Sequence, residues 1–277
     1  MFKRVTIIGL GLIGGSLGLS IKKERLARNV IGVSRRKSTI QRALSLKTVD
    51  SATLDLAKGV KDADLVILTA PVLTIINIAR QISKHLKKGA IVIDAGSTKS
   101  HIVKKVEAVF PRGVSFVGSH PISGSEKSGV RFADSELFKG AYCILTKTSR
   151  TDSKALGKVK RFWAGLGMKV EIMSPDKHDK TISKVSHLPH AVSAALVNSC
   201  NKKDLHLIAG GFKDTTRIVS GSPELWKDIF VTNRKNMLSD IKIFKKELLR
   251  IEKALKKANS TELLKLLKKA KSIRDSI

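Results

Sequence analysis

Short apolar runs alternate with segments of helical spacing over the first two thirds of the chain. Segments such as residues 16–28 and 74–86 carry apolar residues three and four positions apart, which is typical of amphipathic helices. The runs between them are rich in β-branched residues and predict strands. They are VTIIGL (5–10), VIGVS (30–34), LVILTA (65–70), AIVIDA (90–95), VSFVGS (114–119), AYCILT (141–146) and KVEIM (169–173). Strands that alternate with helices predict βαβ units, a parallel sheet and the α/β fold class.

The pattern changes near residue 173. From Pro175 onwards the strand patterns stop and the apolar spacing is helical. Ser260, which stands before Glu262 and a Leu-rich run, marks one helix start. We therefore predict two domains: a doubly wound, mostly parallel sheet with its helices in residues 1–173, and an all-helical domain in residues 174–277.

The composition is that of a folded globular protein. Hydrophobic residues make up 42% of the 277 residues, which excludes a disordered chain. No apolar run approaches the roughly 20 residues that a membrane-spanning helix needs, so we expect no membrane association. The apolar start of the chain is broken by glycines and is not followed by a signal-peptide cleavage site. The two cysteines, Cys143 and Cys200, do not suggest a disulfide framework. These features predict a cytoplasmic protein.

The net charge of +30 is the unusual feature of the composition. It would attract anionic ligands and, nonspecifically, any polyanion. Residues 242–277 contribute strongly, with 12 Lys and Arg against 4 Asp and Glu. Aromatic residues, which would stack on bases, make up only 4% of the chain, and none follows Phe244. We therefore expect a solvated, lysine-rich helix face without a nucleic-acid partner, and keep as an alternative a non-catalytic nucleotide sensor that binds nucleic acid.

A glycine-rich loop follows the first predicted strand directly. GLGLIGGSLG contains G-x-G-x-x-G at Gly9, Gly11 and Gly14 and opens a helical segment. In this context the first glycine permits a tight turn, the second lets the backbone approach a pyrophosphate, and the third allows close packing of helix on strand. The loop therefore predicts a Rossmann-type dinucleotide site at a helix N-terminus. Its further cofactor-binding residues are predicted to be Leu12, Ile13, Thr69 and Pro71.

The end of the second predicted strand indicates which dinucleotide is bound. NAD-binding proteins usually have Asp or Glu here, which accepts hydrogen bonds from the ribose hydroxyls. This chain has Ser34 followed by Arg35, Arg36 and Lys37. A hydroxyl and a guanidinium suit the 2′-phosphate of NADP, because Arg can bind phosphate through two parallel hydrogen bonds. We therefore predict NADP as the cofactor, with NAD as the alternative.

Two polar stretches follow later strands, at the edge of the sheet where ligands bind. DAGSTKS (94–100) follows the fourth predicted strand, and GSHPISGSEKSG (118–129) follows the fifth. His120 precedes Pro121, so it is expected at a strand end and not inside a helix. A histidine beside a nicotinamide is a natural acid or base.

A third polar stretch, SKVSHLPHAV (183–192), places His187 and His190 three positions apart. Together with His178 and Asp179 they could form a zinc site. However, Pro189 would disturb the backbone between the two histidines, and hydride transfer to a nicotinamide needs no metal. We therefore predict no metal.

Five stretches together resemble, in the same order, the motifs of the prephenate/arogenate dehydrogenase family of tyrosine biosynthesis. They are GLGLIGGSLG, DAGSTKS, SHPISGSEKSG, SHLPHAV and GFKDTTRI. The resemblance implies an NAD(P)-dependent oxidative decarboxylation of a small-molecule substrate. A hydride leaves the ring carbon that bears the hydroxyl, the ring carboxylate departs as CO2, and prephenate becomes 4-hydroxyphenylpyruvate. It also implies that the helical half binds substrate and forms a homodimer.

The resemblance further implies roles for individual residues. His120 matches the catalytic histidine that accepts the proton of the substrate's ring hydroxyl, and Ser97 matches a serine that contacts this hydroxyl and helps orient His120. Arg217 matches an arginine that binds a substrate carboxylate, and His190 matches a histidine near the side-chain carboxylate. The remaining pocket positions are Ser125, Glu126 and His187.

Two alternative enzyme activities stay open. Ser34 and Arg35 also resemble arogenate-using, NADP-dependent relatives, whereas His190 and Arg217 favour the dianionic keto acid prephenate. A hydroxyacid dehydrogenase of similar two-domain architecture would use a lysine as its acid or base. Lys184 is the candidate for that role.

Overall fold

The computed structural model describes residues 1–277 and contains two β-sheets. Six parallel strands form the larger sheet, in the order β3-β2-β1-β4-β5-β6. The strands are Phe2–Ile8 (β1), Ala27–Val33 (β2), Ser51–Thr53 (β3), Leu65–Leu68 (β4), Ile91–Asp94 (β5) and Ser115–Val117 (β6). The strand order reverses between β1 and β4, and the carboxyl ends of these two strands border the crevice in which such sheets bind ligands.

Helices cover both faces of the larger sheet. They are Leu12–Lys23 (α1), Lys37–Ser45 (α2), Leu56–Val60 (α3), Val72–Ile82 (α4), Ser100–Val106 (α5) and Ser153–Gly165 (α6). Successive residues of a strand point to opposite faces, so Val5 and Ile7 of β1 pack with α1 and α6, while Ile8 packs with α4 and α5. The prediction of a doubly wound α/β fold is confirmed.

A second, three-stranded sheet follows in the order β7-β8-β9. Its strands are Ser119–Pro121 (β7), Tyr142–Thr146 (β8) and Lys169–Met173 (β9). β7 runs antiparallel to β8, and β8 runs parallel to β9. The single strand predicted over residues 114–119 is therefore two strands in two sheets. The break is at Gly118, where a Cβ would lie 2.4 Å from the hydroxyl oxygen of Thr146.

Two other local predictions need correction. Helical spacing predicts one helix over residues 16–28, but α1 ends at Lys23 and β2 begins at Ala27. Arg25 between them has a φ of 51°, a left-handed conformation that ends the helix. Strand β3 was not predicted because three residues are too few to show an apolar alternation.

The rest of the chain is helical, as predicted. Its helices are Pro175–Ile182 (α7), Leu188–Ser199 (α8), Gly210–Thr216 (α9), Pro223–Thr232 (α10), Arg234–Lys256 (α11) and Ser260–Asp275 (α12). A π-helical turn, Ser183–His187, joins α7 to α8. Such wide turns are frequent at functional sites, and Pro189 is tolerated just after it, in the first turn of α8.

The chain divides into two compact units, Met1–Asn233 and Arg234–Ile277. The first contains both sheets and helices α1 to α10, and the second is formed by α11 and α12. The last strand ends at Met173, where the sequence pattern changes. The two-domain division at that residue stays a prediction. None of the helices is long and apolar enough to cross a membrane.

Candidate active site

The glycine-rich loop joins β1 to α1 at the carboxyl edge of the larger sheet. Gly9 has a φ of 106°, and a Cβ on it would lie 2.5 Å from the carbonyl oxygen of Thr69. A Cβ on Gly14 would lie 1.9 Å from the carbonyl oxygen of Gly9. The hydroxyl of Thr69 donates to the carbonyl oxygens of Ile8 at 3.0 Å and Gly9 at 2.5 Å. Both glycines are therefore required by the protein's own packing.

Gly11 differs, because a Cβ on it would meet no protein atom within 4 Å. It precedes α1. The first N–H groups of a helix have no intrahelical partners, and no side chain caps those of α1. Leu12 and Ile13 are the first residues of α1 and are half-buried. Open space over Gly11 beside uncapped N–H groups fits a pyrophosphate that approaches the backbone closely. The loop therefore fits a dinucleotide cofactor.

The residues predicted to select the cofactor lie where β2 ends. Ser34 is half-buried, and its hydroxyl accepts the N–H of Arg36 at 3.4 Å. Arg35 and Arg36 are exposed and form no ion pair, unlike Arg217 and Arg250. Two unpaired guanidinium groups at this strand end can bind an anionic group of a ligand. Pro71 precedes α4 and is exposed.

His120 lies in the middle of β7, with one ring nitrogen bonded within the protein and the other open. Its Nδ1 is 2.8 Å from Nε2 of His178 on α7. Nδ1 of His178 is in turn 2.8 Å from the carboxylate of the adjacent Asp179. Nε2 of His120 makes no hydrogen bond within the protein and is not buried. His120 therefore presents Nε2 for chemistry.

A buried ion pair fixes the backbone next to His120. Lys99, whose side chain is fully buried, pairs with the carboxylate of Asp94 at the end of β5. Lys99 Nζ also donates to the carbonyl oxygen of Ser119 at 2.8 Å, and the N–H of Ser119 donates to Asp94 at 3.0 Å. Buried charges are retained where such partners satisfy them. Two residues of the DAGSTKS stretch thus position the start of β7.

The site keeps its histidines neutral. Burial lowers the pKa of His120 well below its usual value, and His178 and Lys99 lower it further. Burial also lowers the pKa of His178. For Asp179, burial opposes ionisation, but hydrogen bonds from His178 and from the Lys99 backbone outweigh it and hold the pKa below its usual value. The titratable groups next to His120 are Lys99, Cys143, His178 and His187, and Asp179 lies on the far side of His178.

Ser97 does not make the orienting contact that the resemblance implies. It is half-buried in the turn after β5 and has no hydrogen bond to His120, whose ring is held by His178 instead. The sequence pattern suggests His178 and Asp179 only as metal ligands, whereas here His178 bonds to His120 and Asp179 bonds to His178. Their adjacency at the start of the helical half was the one signal of this role in the sequence.

His187 and His190 belong to the same cluster. Nδ1 of His187 is 3.1 Å from the side-chain nitrogen of Asn233, which also donates to the backbone carbonyl of Asp179 at 2.8 Å. The ring of His190 stacks on Trp226, with centroids 3.6 Å apart. Burial lowers the pKa of His187 to about 4 and also lowers that of His190. The sequence pattern did not identify Asn233 or Trp226.

Arg217 forms an ion pair with Glu126, with 2.7 Å between Nη1 and Oε2. Glu126 lies with Ser125 in the loop between β7 and β8, and the hydroxyl of Ser125 accepts the N–H of Lys127 at 3.2 Å. The ion pair connects this loop to the turn after α9. Lys184, the acid or base of the hydroxyacid alternative, is exposed in the π-helical turn.

Comparison with known protein families covers most of the chain. The nucleotide-binding domain of prephenate dehydrogenase matches residues 17–172, and the prephenate dehydrogenase dimerization domain matches residues 174–269. Prephenate dehydrogenase of Bacillus subtilis is 34% identical over 99% of this chain and 76% of its own length. Cyclohexadienyl dehydrogenase of Zymomonas mobilis is 31% identical over 99% of this chain and 96% of its own length.

Solved structures agree with these relatives. Prephenate dehydrogenase from Aquifex aeolicus, in complex with hydroxyphenyl propionate and NAD+, superposes with a TM-score of 0.93 at 36% identity, covering 100% of this chain and 98% of that one. Synechocystis arogenate dehydrogenase superposes with a TM-score of 0.83 at 31% identity, covering 99% of both chains. The chain belongs to the prephenate/arogenate dehydrogenase family of NAD(P)-dependent oxidoreductases.

Proposed function

We propose that this protein oxidatively decarboxylates prephenate to 4-hydroxyphenylpyruvate and prefers NADP as the hydride acceptor. One observation carries the proposal: His120 is neutral, its Nδ1 is bonded to His178, and its Nε2 is free. A neutral imidazole with an open nitrogen can accept the proton of a substrate hydroxyl. The family assignment supports the reaction class.

His120 acts first as a general base and then as an acid. Its Nε2 accepts the proton of the ring hydroxyl, and the electron pair of the broken O–H bond forms the carbonyl while the hydride leaves the same ring carbon. NADP, when bound, supplies the nicotinamide that accepts this hydride. The ring carboxylate departs as CO2 and leaves its electron pair in the ring, which becomes aromatic. The ring oxygen then recovers the proton from His120 as a phenol.

Two donors are assigned to the substrate's carboxylates. The exposed guanidinium of Arg217 can form charge-assisted hydrogen bonds to one of them, in competition with its present partner Glu126. Nε2 of His190 is not buried and has no hydrogen bond within the protein, so it can donate to the other. Stacking on Trp226 fixes the plane of the His190 ring. Two donors suit the two carboxylates of prephenate.

NADP preference is proposed from the end of β2. Arg35 and Arg36 are exposed and unpaired there, and Ser34 stands where an NAD-specific protein would usually have a carboxylate. A carboxylate would repel a 2′-phosphate, whereas these side chains attract it. NAD is the alternative, and the Aquifex aeolicus relative was solved with NAD+.

The direct test is an activity assay of the purified protein with prephenate or arogenate and NAD or NADP in all four combinations. Appearance of reduced nicotinamide measures hydride transfer. We expect the highest kcat/KM with prephenate and NADP. A preference for NAD would contradict the interpretation of Ser34 and Arg35, and no reduction in any combination would contradict the proposed reaction.

Arogenate is the second candidate substrate, since relatives named as cyclohexadienyl and arogenate dehydrogenases are similar to this chain. Arogenate has an ammonium where prephenate has a keto oxygen. In the first compact unit, Glu126 is the pocket carboxylate that could accept from this ammonium, and it is paired with Arg217. The four-way assay therefore also decides between the two substrates.

We also propose that residues 1–173 bind the nucleotide and that residues 174–277 bind substrate and form a homodimer. The match of residues 174–269 to a dimerization domain supports this assignment. Helices α11 and α12 also expose large apolar side chains that a second copy would cover. They include Leu238, Ile243, Leu248, Leu249, Leu255, Leu264 and Leu267. Sedimentation equilibrium of the full chain should give twice the monomer mass of 30.2 kDa.

A further inference from the structure

His120, His178 and Asp179 form a series of two hydrogen bonds that ends on a carboxylate. The distances are 2.8 Å between the two rings and 2.8 Å between His178 and Asp179. His178 is fully buried and Asp179 is 2% exposed, so neither bond is shared with solvent. Buried bonds of this kind restrict which ring nitrogen carries a proton.

The carboxylate end of the series defines the direction of each bond. Asp179 accepts the backbone N–H of Lys99 at 2.7 Å and of Ser100 at 3.0 Å, besides the contact with His178. An ionised carboxylate only accepts hydrogen bonds. Nδ1 of His178 must therefore carry a proton and donate a hydrogen bond to Asp179.

The tautomer of His120 follows from that of His178. His178 is buried next to the Lys99 side chain, and burial lowers its pKa, so the ring is neutral and its Nε2 has no proton. This Nε2 can only accept, and the proton in the bond between the rings must come from Nδ1 of His120. Because His120 is also neutral, its Nε2 has a free lone pair.

We propose that His178 and Asp179 are positioning residues that hold His120 in the tautomer with an unprotonated Nε2 and share the positive charge that His120 acquires during the reaction. This inference deepens the proposed function, on which its catalytic part rests. When Nε2 of His120 takes the substrate's proton, the Nδ1 proton can move towards Nε2 of His178. The charge is then spread over two rings and lies opposite the Asp179 carboxylate, which remains ionised.

Three variants separate orientation from charge sharing. In Asp179→Asn the amide can donate to Nδ1 of His178, so His178 carries its proton on Nε2 and donates to Nδ1 of His120. The donor and acceptor of both hydrogen bonds are then exchanged, and the proton of His120 lies on Nε2. His178→Leu removes the bond between the rings. His178→Gln keeps it, because the Gln oxygen accepts from His120 while its amide nitrogen donates to Asp179. The matched control is Asp176→Asn, the same chemical change on an exposed carboxylate of the same helix, whose partner is the Ser100 hydroxyl.

The tautomer is measured first, without substrate, by 15N NMR of histidine-labelled full-length protein. We expect His120 and His178 to carry their protons on Nδ1 in the unmodified protein and in Asp176→Asn. In Asp179→Asn, the His120 proton should move to Nε2. A wild-type His120 protonated on Nε2 would overturn the proposal, whether or not the protein turns over prephenate.

Turnover is measured second, as kcat and KM at several pH values. We expect kcat to fall by about 10² to 10⁴ in Asp179→Asn and His178→Leu, with KM and the Kd for NADP nearly unchanged, since only proton transfer is impaired. His178→Gln should recover most of the lost rate, because it restores the orientation of His120, and the deficit that remains measures charge sharing, which an amide cannot provide. In Asp179→Asn the residual rate should rise with pH above neutrality, because hydroxide replaces the base.

A purely structural role would give a different result. Asp179→Asn and His178→Leu would then change thermal stability and NADP binding together, with a pH profile parallel to that of the wild type, and His178→Gln would not recover kcat selectively. Rates of both variants within a few-fold of Asp176→Asn would equally overturn the proposal. If one of them fails to fold, the His178→Gln comparison and the tautomer spectrum still decide it.

Discussion

At the scale of single residues, burial determines the charge state of the site. The site contains four histidines, the buried carboxylates Asp94 and Asp179 and the buried Lys99, and burial lowers the pKa of each histidine. His187 is only 1% exposed, and its pKa is lowered to about 4. Nδ1 of His187 can accept a hydrogen bond from Asn233 only when this nitrogen carries no proton. Both nitrogens of a charged imidazole carry protons, so the hydrogen bond requires the neutral ring.

The pH dependence of stability tests this account of His187. Between pH 6.5 and about 4 the unfolded ring binds a proton and the folded ring does not, so the free energy of unfolding must fall as pH falls through this window. His187 alone should contribute about 3 kcal/mol to this fall. Urea denaturation at both ends of the window should show a smaller loss for His187→Gln than for the wild type. An equal loss in the two proteins would mean that His187 titrates normally when folded.

At the scale of elements, the glycine-rich loop contains glycines with two different tasks. Gly14 allows α1 to pack against the turn at Gly9, whereas the space above Gly11 contains no protein atom. The G-x-G-x-x-G spacing predicted both tasks, because the motif combines a packing requirement with a binding requirement.

Replacing each glycine by alanine should separate the two tasks. Gly14→Ala should destabilise the fold, since its Cβ would lie 1.9 Å from a carbonyl oxygen. Gly11→Ala should leave the melting temperature nearly unchanged and weaken NADP binding by at least tenfold, because the added methyl group occupies the cofactor's space. Fluorescence titration with NADP and thermal melting measure the two effects. Unchanged NADP affinity in Gly11→Ala would contradict the assigned pyrophosphate position.

Element patterns also explain which parts of the fold the sequence could predict. Central strands such as β4 and β5 are continuous apolar runs because both faces are buried, and they were predicted within two residues. β3 and β7 have three residues each and carry no such run. The role of His178 was not predicted because its contact with His120 joins positions 58 residues apart. A local pattern contains no information on such a contact.

At the scale of the whole molecule, the α/β part and the helices that follow β9 both contribute side chains to the candidate active site. The α/β part supplies the glycine-rich loop, the buried Asp94–Lys99 pair and His120, and the helices that follow β9 supply His178, Asp179 and His190. The proposed base, His120, is therefore positioned by a strand, and its ring is held by a hydrogen bond from a helix residue. This division explains why family motifs from both halves were needed to predict the chemistry, whereas the glycine-rich loop predicts only a nucleotide site.

The central claim is that His120 is the base for hydride transfer from prephenate. Its most direct test is the single-turnover rate at which prephenate reduces NADP on the His120→Asn variant. The control is His101→Asn, a histidine outside the site. We expect His120→Asn to lose about 10² to 10⁴ in rate, with unchanged NADP affinity and stability, and His101→Asn to react like the wild type. A His120→Asn rate within a few-fold of the wild type would contradict the account and favour a different acid or base, such as Lys184.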